Sequence, residues 1–206
     1  MYQFIILTIM NSENIKKTII LAGIKHCGKS TQGRRLSDKL AVPFYDTDDL
    51  IEELEGITPR EIYNRGGKEA FMLAEENACR ELKNRLSSGA AVVATGGGIC
   101  DNDKAVEILK ELGVIVFLMA DEHIAAARIV REARLENGEL KNLPAYIAKE
   151  NPQSLDEVRA LFHSFYQRRT ASYKEIAAIT VEMKNASKSE NTSAILKAVR
   201  SYWEQN

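Results

Sequence analysis

The chain has 206 residues, of which 45% are hydrophobic and 28% charged, a balance typical of a folded globular domain and not of a disordered chain. Its 28 basic and 29 acidic residues give a net charge of −1, so no global positive field would recruit nucleic acid. The 3 cysteines are widely spaced and odd in number, which argues against a secreted disulfide framework and against a zinc site. We expect a single cytoplasmic domain over residues 1–206 that binds neither nucleic acid nor membrane.

The N-terminal segment is largely apolar over residues 1–10, yet it is too short to span a bilayer. It also lacks the basic region and the small-residue cleavage site of a signal peptide. We expect residues 1–16 to be an extension of the domain, either an additional edge strand or a product of start-codon choice.

Short β-branched runs alternate with amphipathic stretches along the rest of the chain. The runs predict five strands, at 18–22, 43–46, 91–94, 114–119 and 179–183. The clearest helical patterns cover 30–40, 68–86, 103–112, 121–131, 155–178 and 192–203. Alternation of this kind is typical of an α/β fold, with parallel strands covered by helices on both faces.

A phosphate-binding motif follows the first predicted strand. The sequence Gly23-Ile-Lys-His-Cys-Gly-Lys-Ser30 matches G-x-x-x-x-G-K-[ST] and opens the first predicted helix. In such a loop, backbone N–H groups cradle phosphate oxygens, Lys29 neutralises the β- and γ-phosphates, and Ser30 offers its hydroxyl to Mg²⁺. We expect ATP and Mg²⁺ as cofactors, and the predicted nucleotide contacts here are Gly23, Lys25, His26, Cys27, Gly28, Lys29, Ser30 and Thr31. A solvated His26 and a packed, inert Cys27 stay open as alternatives.

Two aspartates, Asp46 and Asp48, end the second predicted strand. Two residues apart, they project to the same face while the strand persists, at the sheet edge where α/β proteins bind ligands. One carboxylate would order Mg²⁺ or its waters, and the other would accept a proton from an attacking hydroxyl. Alternatively, Asp48 or Asp49 only caps the following helix.

Three further features point to a ligand pocket. The run Gly96-Gly97-Gly98 follows a predicted strand and would let backbone approach a ligand closely, or it is only a turn. Glu75 and Arg169 each lie on the apolar stripe of a predicted helix, where a charge is costly unless it is paired or bound to a ligand. The two side chains could pair with each other, or they could hold a polar ligand between the helices.

Residues 132–154 form a polar connection with weak periodicity that contains Gly138, Pro144 and Pro152. Connections of this length are commonly lids, binding loops or disorder. In an enzyme that transfers phosphoryl groups, a lid would close over the nucleotide and exclude water.

In combination and in this order, the motifs resemble the shikimate kinase family over about residues 17–181. They are the phosphate loop, the run Phe-Tyr-Asp-Thr-Asp-Asp-Leu-Ile-Glu at 44–52, Ala-Thr-Gly-Gly-Gly at 94–98, and Arg169-x-x-x-Tyr173. The resemblance implies a P-loop kinase of three α/β/α layers, with a five-stranded parallel sheet and a mobile lid at about 132–154. It also implies ATP- and Mg²⁺-dependent phosphorylation of the 3-hydroxyl of shikimate, a step of aromatic amino-acid biosynthesis.

The resemblance also implies roles for individual residues. Lys29 and Asp48 would be catalytic, Ser30 and Asp46 would lie at Mg²⁺, and Arg128 would contact the nucleotide. The residues that match the family's acceptor pocket are Asp48, Phe71, Glu75, Gly96, Gly97, Gly98 and Arg169, of which Arg169 would bind the acceptor carboxylate.

The sequence departs from the family pattern at three positions. Met72 stands where a second carboxylate-binding arginine is usual, Leu143 stands at the lid arginine, and His26 replaces a glycine of the phosphate loop. Methionine cannot form the charged, two-pronged hydrogen bonds of arginine, so shikimate should bind more weakly. Without the lid arginine, another cation must neutralise the transferred group, and the candidates are Arg128, Arg131, Arg134 and Lys141.

These departures leave two alternatives to a shikimate kinase. One is a kinase of the same build that acts on a different hydroxylated acceptor. The other is a catalytically weakened ATP-binding protein, which would have no need of Asp48. For a kinase we expect a small-molecule substrate, whereas the ATP-binding protein would sense ATP or a partner. We expect the chain to be a monomer or weak homodimer.

Overall fold

The computed structural model describes residues 18–86, 89–136 and 139–206. The N-terminal extension predicted at 1–16 lies outside these residues. In chain order the elements are β1 (Thr18–Ala22), α1 (Lys29–Leu40), β2 (Phe44–Asp46), α2 (Thr47–Glu55), α3 (Pro59–Arg85), β3 (Val92–Ala94), α4 (Asp103–Leu112), β4 (Gly113–Ala120), α5 (Glu122–Glu132), β5 (Arg134–Glu136), β6 (Glu139–Lys141), α6 (Ala145–Ala148), α7 (Leu155–Ile176), β7 (Ile179–Met183) and α8 (Lys188–Gln205). No helix among the described residues is long and apolar enough to cross a bilayer.

The central sheet has five parallel strands, as predicted, and their order is β2-β3-β1-β4-β7. Its middle strands are apolar without interruption, and Ile20, Leu21, Val116 and Leu118 are fully buried. Continuous burial follows from helices on both faces, because a parallel sheet of this kind has no solvent-facing side. The five predicted strands were therefore correct to within one residue at each end.

Strand order creates the crevice that holds the candidate site. From β1 the chain passes through α1 to β2 on one side, whereas from β3 it passes through α4 to β4 on the other. The loops after these two neighbouring strands therefore leave in opposite directions and open a crevice at the carboxyl edge of the sheet. A Cβ on Gly97 would lie 2.9 Å from the backbone nitrogen of Lys25, so the two loops touch.

The helices differ from the prediction in several places, and α8 begins at Lys188, four residues before its predicted start. The helix predicted from residue 68 begins nine residues earlier, at Pro59, with a capping box of Thr58 and Glu61. A break at Gly67 (φ 70°, ψ −163°) divides α3, and the helical pattern recognised in the sequence begins only after this break. No bounds were predicted for helix α2, which the sequence indicated only as the helix that Asp48 or Asp49 would cap.

The polar connection at 132–154 has its own local structure. Helix α5 ends at Glu132, and the antiparallel pair β5 and β6 follows, with Leu135 opposite Leu140. The short helix α6 comes next and packs on α7 through Tyr146, whose ring stacks on Phe165 at 3.6 Å between centroids. Movement of this segment as a lid stays a prediction.

Candidate active site

The phosphate loop curls around the ammonium group of Lys29. Its Nζ donates hydrogen bonds of 2.9 Å to the carbonyl oxygens of Gly23 and Ile24. Gly28 adopts φ 100° at the start of α1, a left-handed conformation that favours glycine. The loop thus presents a lysine charge and the positive end of a helix to one cavity, the combination that binds phosphate.

Helix α7 holds the phosphate loop in place through Tyr173. The buried hydroxyl of Tyr173 donates to the carbonyl oxygen of Gly23 at 3.1 Å, and its ring stacks on Phe117 of β4 at 5.0 Å between centroids. Arg169 lies one helical turn before Tyr173 on α7. The same helix therefore positions the phosphate loop and one wall of the acceptor pocket.

A cavity of about 560 Å³ opens above the loop. Most of the predicted nucleotide and metal residues line it: Lys25, His26, Cys27, Gly28, Lys29, Ser30, Thr31, Asp46, Asp48 and Arg128. Gly23 lies behind this wall and acts through its carbonyl oxygen. Cys27 is only 3% exposed, which agrees with a packed thiol.

His26 and Arg128 join the phosphate loop to helix α5. The Arg128 guanidinium donates to the carbonyl oxygen of His26, and His26 Nε2 lies 3.2 Å from Glu132 Oε2. Partial burial lowers the pKa of His26, although Glu132 acts in the opposite direction. His26 is therefore not the freely solvated residue of the first alternative.

Ser30 and Asp46 bring oxygen atoms together at the mouth of the loop. The Ser30 hydroxyl donates to Asp46 Oδ2 at 2.7 Å, and Asp46 Oδ1 accepts from the backbone N–H of Asp48 at 3.2 Å. Asp46, and neither Asp48 nor Asp49, is thus the N-cap of α2. A hydroxyl and a carboxylate beside a phosphate loop fit Mg²⁺, which prefers oxygen ligands and retains waters and substrate phosphates.

Asp48 and Glu75 approach each other across Gly96. A Cβ on Gly96 would lie 2.9 Å from Asp48 Oδ1 and 3.2 Å from Glu75 Oε1, so only glycine leaves room for both carboxylates. The backbone N–H of Gly96 donates to the Thr47 hydroxyl at 3.0 Å, which fixes this approach. The glycine run is therefore more than a turn.

Both carboxyl groups have raised pKa values. Asp48 remains accessible on the cavity wall, but withdrawal from bulk water, and then the charge of Asp46, raise its pKa to about 6. Burial, and then the charge of Asp48, raise the pKa of Glu75 to about 7, although Glu75 Oε2 accepts a 2.9 Å hydrogen bond from the Asn102 amide. Glu75 is 1% exposed, and its Oε1 has no partner among the described residues.

Arg169 faces the same pocket, but its ion-pair partner is not Glu75, the partner considered from the sequence. Its guanidinium donates to the carbonyl oxygen of Gly97 and to Asp101 Oδ2 at 3.0 Å, so Arg169 pairs with Asp101 and not with Glu75. The charge also lies 4.0 Å from the centroid of the Phe165 ring. Its Nε is buried without a partner in the described part of the chain.

These groups line a second cavity of about 400 Å³. All the predicted acceptor residues border it: Asp48, Phe71, Glu75, Gly96, Gly97, Gly98 and Arg169. The two cavities share Lys25, Asp48 and Gly97, so they meet at Asp48. Among the described lining residues, six are basic and three are acidic, which suits an anionic ligand.

Some lining residues were missed by sequence reasoning. The segment after β7 contributes Lys184, Asn185 and Ala186 to the first cavity. The rule that placed Asp46 at the sheet edge would have found them, because they also follow a parallel strand. Asp101, which pairs with Arg168 and Arg169, carries no local signal in the sequence.

Of the three residues that depart from the expected family pattern, Met72 and Leu143 line the second cavity, whereas His26 lines the first. Met72 is half-buried in the wall of the second cavity, and Leu143 is buried there at 4% exposed. Neither Leu143 nor Arg134 lines the first cavity, whereas Arg128 and Arg131 do.

Comparison with known proteins agrees with this geometry. Residues 25–200 match the family model described as shikimate kinase. A shikimate kinase from Syntrophus aciditrophicus is 31% identical over 191 residues, which is 92% of this chain and 94% of that protein. One from Bacillus cytotoxicus is 29% identical over 90% of this chain and 99% of its own length.

Solved structures agree as well. The shikimate kinase from Acinetobacter baumannii in complex with shikimate has a TM-score of 0.74 and 28% identity, and the match covers 90% of this chain and 93% of that chain. The shikimate kinase from Aquifex aeolicus has a TM-score of 0.66 and 27% identity, over 89% of this chain and 96% of that chain. By sequence and by fold, the chain belongs to the shikimate kinase family.

Proposed function

We propose that this chain transfers the terminal phosphoryl group of ATP to the 3-hydroxyl of shikimate, a step of aromatic amino-acid biosynthesis. The observation that carries the proposal is the meeting of two cavities at Asp48. The loop at 23–30 would bind phosphates in one cavity, and Glu75 and Arg169 would bind the hydroxyls and the carboxylate of a small acid in the other.

The nucleotide would lie in the first cavity with its phosphates on the loop. Lys29 and the N-terminus of α1 supply positive charge that does not have to be assembled during the reaction, which is the main contribution a protein makes to phosphoryl transfer. The 183–186 segment and Arg128 would border the rest of the nucleotide.

Ser30 and Asp46 would hold Mg²⁺, directly or through its waters. When bound, the ion neutralises charge on the phosphate oxygens. Because the Ser30 hydroxyl lies 2.7 Å from Asp46 Oδ2, the fold itself brings both oxygen groups together.

Asp48 would orient the acceptor hydroxyl and accept its proton. A pKa of about 6 keeps Asp48 largely ionised at neutral pH, yet makes it a better base than an ordinary aspartate. The unpartnered Oε1 of Glu75 lies on the same side of Gly96 and would bind a second hydroxyl of the acceptor.

Arg169 would bind the acceptor carboxylate. Asp101 also accepts from Arg168, at 2.8 Å and 3.4 Å, so its charge stays neutralised when Arg169 turns toward a ligand. A polyhydroxy acid would thus meet a cation and two carboxylates in one cavity.

Met72 favours one second candidate, a kinase of the same build for another acceptor. In contrast, the close approach of Asp48 and Glu75 across Gly96 disfavours a pure ATP-binding protein, because nucleotide binding alone would not need two crowded carboxyl groups.

The test is coupled ADP release with shikimate, compared with a panel of polyols and hydroxy acids. We expect shikimate-dependent ADP release with a raised KM, and one phosphate added to the acceptor by mass spectrometry. A reaction without acceptor measures background ATP hydrolysis. Saturation by a different acceptor at much lower concentration would overturn the assignment of shikimate.

Location and assembly are part of the proposal. We infer a cytoplasmic enzyme, in accord with the buried free cysteines Cys27, Cys79 and Cys100. A monomer or weak homodimer is expected, and light scattering after gel filtration measures it.

A further inference from the structure

We propose that Lys68 supplies the second positive charge for the acceptor carboxylate, opposite Arg169. This inference rests on the proposed function and concerns the same cavity. It answers how the chain can bind an acid although Met72 stands where its relatives' pattern has an arginine.

Lys68 and Met72 lie on one face of one helix. Helix α3 is interrupted at Gly67, and Lys68 is the first residue after the break, four positions before Met72. Residues four apart on a helix are neighbours on its surface. Both line the 400 Å³ cavity, so the ammonium group of Lys68 can extend over Met72 toward a ligand.

Apart from Arg60, the other cations of the cavity have partners or other tasks. Arg168 is paired with Asp101, and Lys149 lies 3.4 Å from Glu150. Lys25 belongs to the phosphate loop and also lines the nucleotide cavity. Among the described residues, no carboxylate lies within ion-pairing distance of Lys68 or Arg60.

The location of Lys68 distinguishes it from Arg60. Lys68 opens the second segment of α3 and Arg60 lies in the first turn of the first segment, so both face the positive end of a helix dipole and only their position relative to Met72 separates them. Arg60 lies in the part of α3 before the break and does not share a face with Met72. An anion beside Met72 would therefore be stabilised by Lys68 and by the helix end together.

The test measures the acceptor KM for Lys68→Ala, for Arg60→Ala and for the remote control Lys110→Ala, with the coupled ADP assay. Lys110 is an exposed residue of α4. Loss of one charged hydrogen bond should raise the KM for shikimate roughly tenfold in Lys68→Ala, with kcat and the KM for ATP little changed. Shikimate methyl ester has no carboxylate, so Lys68→Ala should change its KM less than about twofold. A merely structural role would affect acid and ester alike.

A double variant that combines Lys68→Ala with Met72→Arg tests whether Met72→Arg makes the charge of Lys68 unnecessary. Met72→Arg should lower the KM for shikimate, and Lys68→Ala should cost much less in that background than alone, because one arginine then serves the carboxylate. An unchanged KM in Lys68→Ala, or an increase in Arg60→Ala instead, would overturn the inference while leaving the kinase activity established. Absence of shikimate turnover by the unaltered chain would overturn the proposed function, and this inference with it.

Discussion

Replacement of Glu75 by glutamine tests how much folding free energy the protein loses by burying an ionised carboxylate in the acceptor pocket. The pKa of Glu75 rises from 4.5 to about 7, chiefly through burial and then through the charge of Asp48. Below about pH 4.5, Glu75 is protonated in the folded and the unfolded chain, and its contribution to stability is present in full. That contribution is lost as the pH rises through about 7. At about 1.4 kcal/mol for each pKa unit, ionised Glu75 costs the fold up to about 3 kcal/mol.

Glutamine carries no charge, and its amide oxygen can still accept from Asn102. We therefore expect Glu75→Gln to be more stable than the unaltered chain, by less than about 1 kcal/mol near pH 5 and by up to about 3 kcal/mol near pH 8. For a domain of this size, the upper value corresponds to a rise in Tm of roughly 6–12 °C. The same variant should bind shikimate more weakly, because it loses the unpartnered carboxylate oxygen.

The assay is thermal and urea denaturation of both proteins across this pH range. Glu76→Gln is the matched control, because Glu76 is the next residue but accepts from Arg80 at 2.6 Å, which lowers its pKa. That variant should lose a little stability and gain none. A Glu75→Gln protein that is less stable at pH 8, or whose gain is the same at pH 5, would refute the reasoning.

Three further predictions concern the reaction. Lys29→Ala should abolish phosphoryl transfer while the far-ultraviolet circular dichroism stays unchanged, and normal turnover would remove the nucleotide site from the loop. Asp48→Asn should lower kcat about 10²-fold or more with little change in ATP affinity. In the unaltered chain, kcat/KM for the acceptor should decrease at pH values below about 6, because Asp48 becomes protonated there. A flat pH profile would speak against Asp48 as the base. At least one of the alanine variants of Arg128, Arg131, Arg134 and Lys141 should be severely defective in turnover. The strongest candidates are Arg128 and Arg131, because they line the nucleotide cavity. Four near-normal rates would mean that another cation, such as Lys25, neutralises the transferred phosphoryl group.

Sequence alone located the strands and the phosphate loop because their causes are local. An uninterrupted β-branched run is required wherever a strand is covered on both faces, and the positions of Gly23 and Gly28 follow from the turn between β1 and α1. The stripe on α7 likewise showed that Arg169 faces inward, since helical spacing fixes which residues share a face. Local capping chemistry was harder to read, because Asp46, Asp48 and Asp49 are all suitable caps and only the backbone shows that Asp46 is used.

The chemistry of the pocket was decided by the tertiary structure. Asp48 and Glu75 are brought together only because β2 lies beside β3, which places Gly96 between them. The partner of Arg169 proved to be Asp101, from a turn that the sequence does not distinguish from other polar turns. A raised pKa depends on how many protein atoms exclude water from a group and on which charges remain near it. Those quantities are summed over segments that are far apart in the chain, so no spacing in the sequence records them.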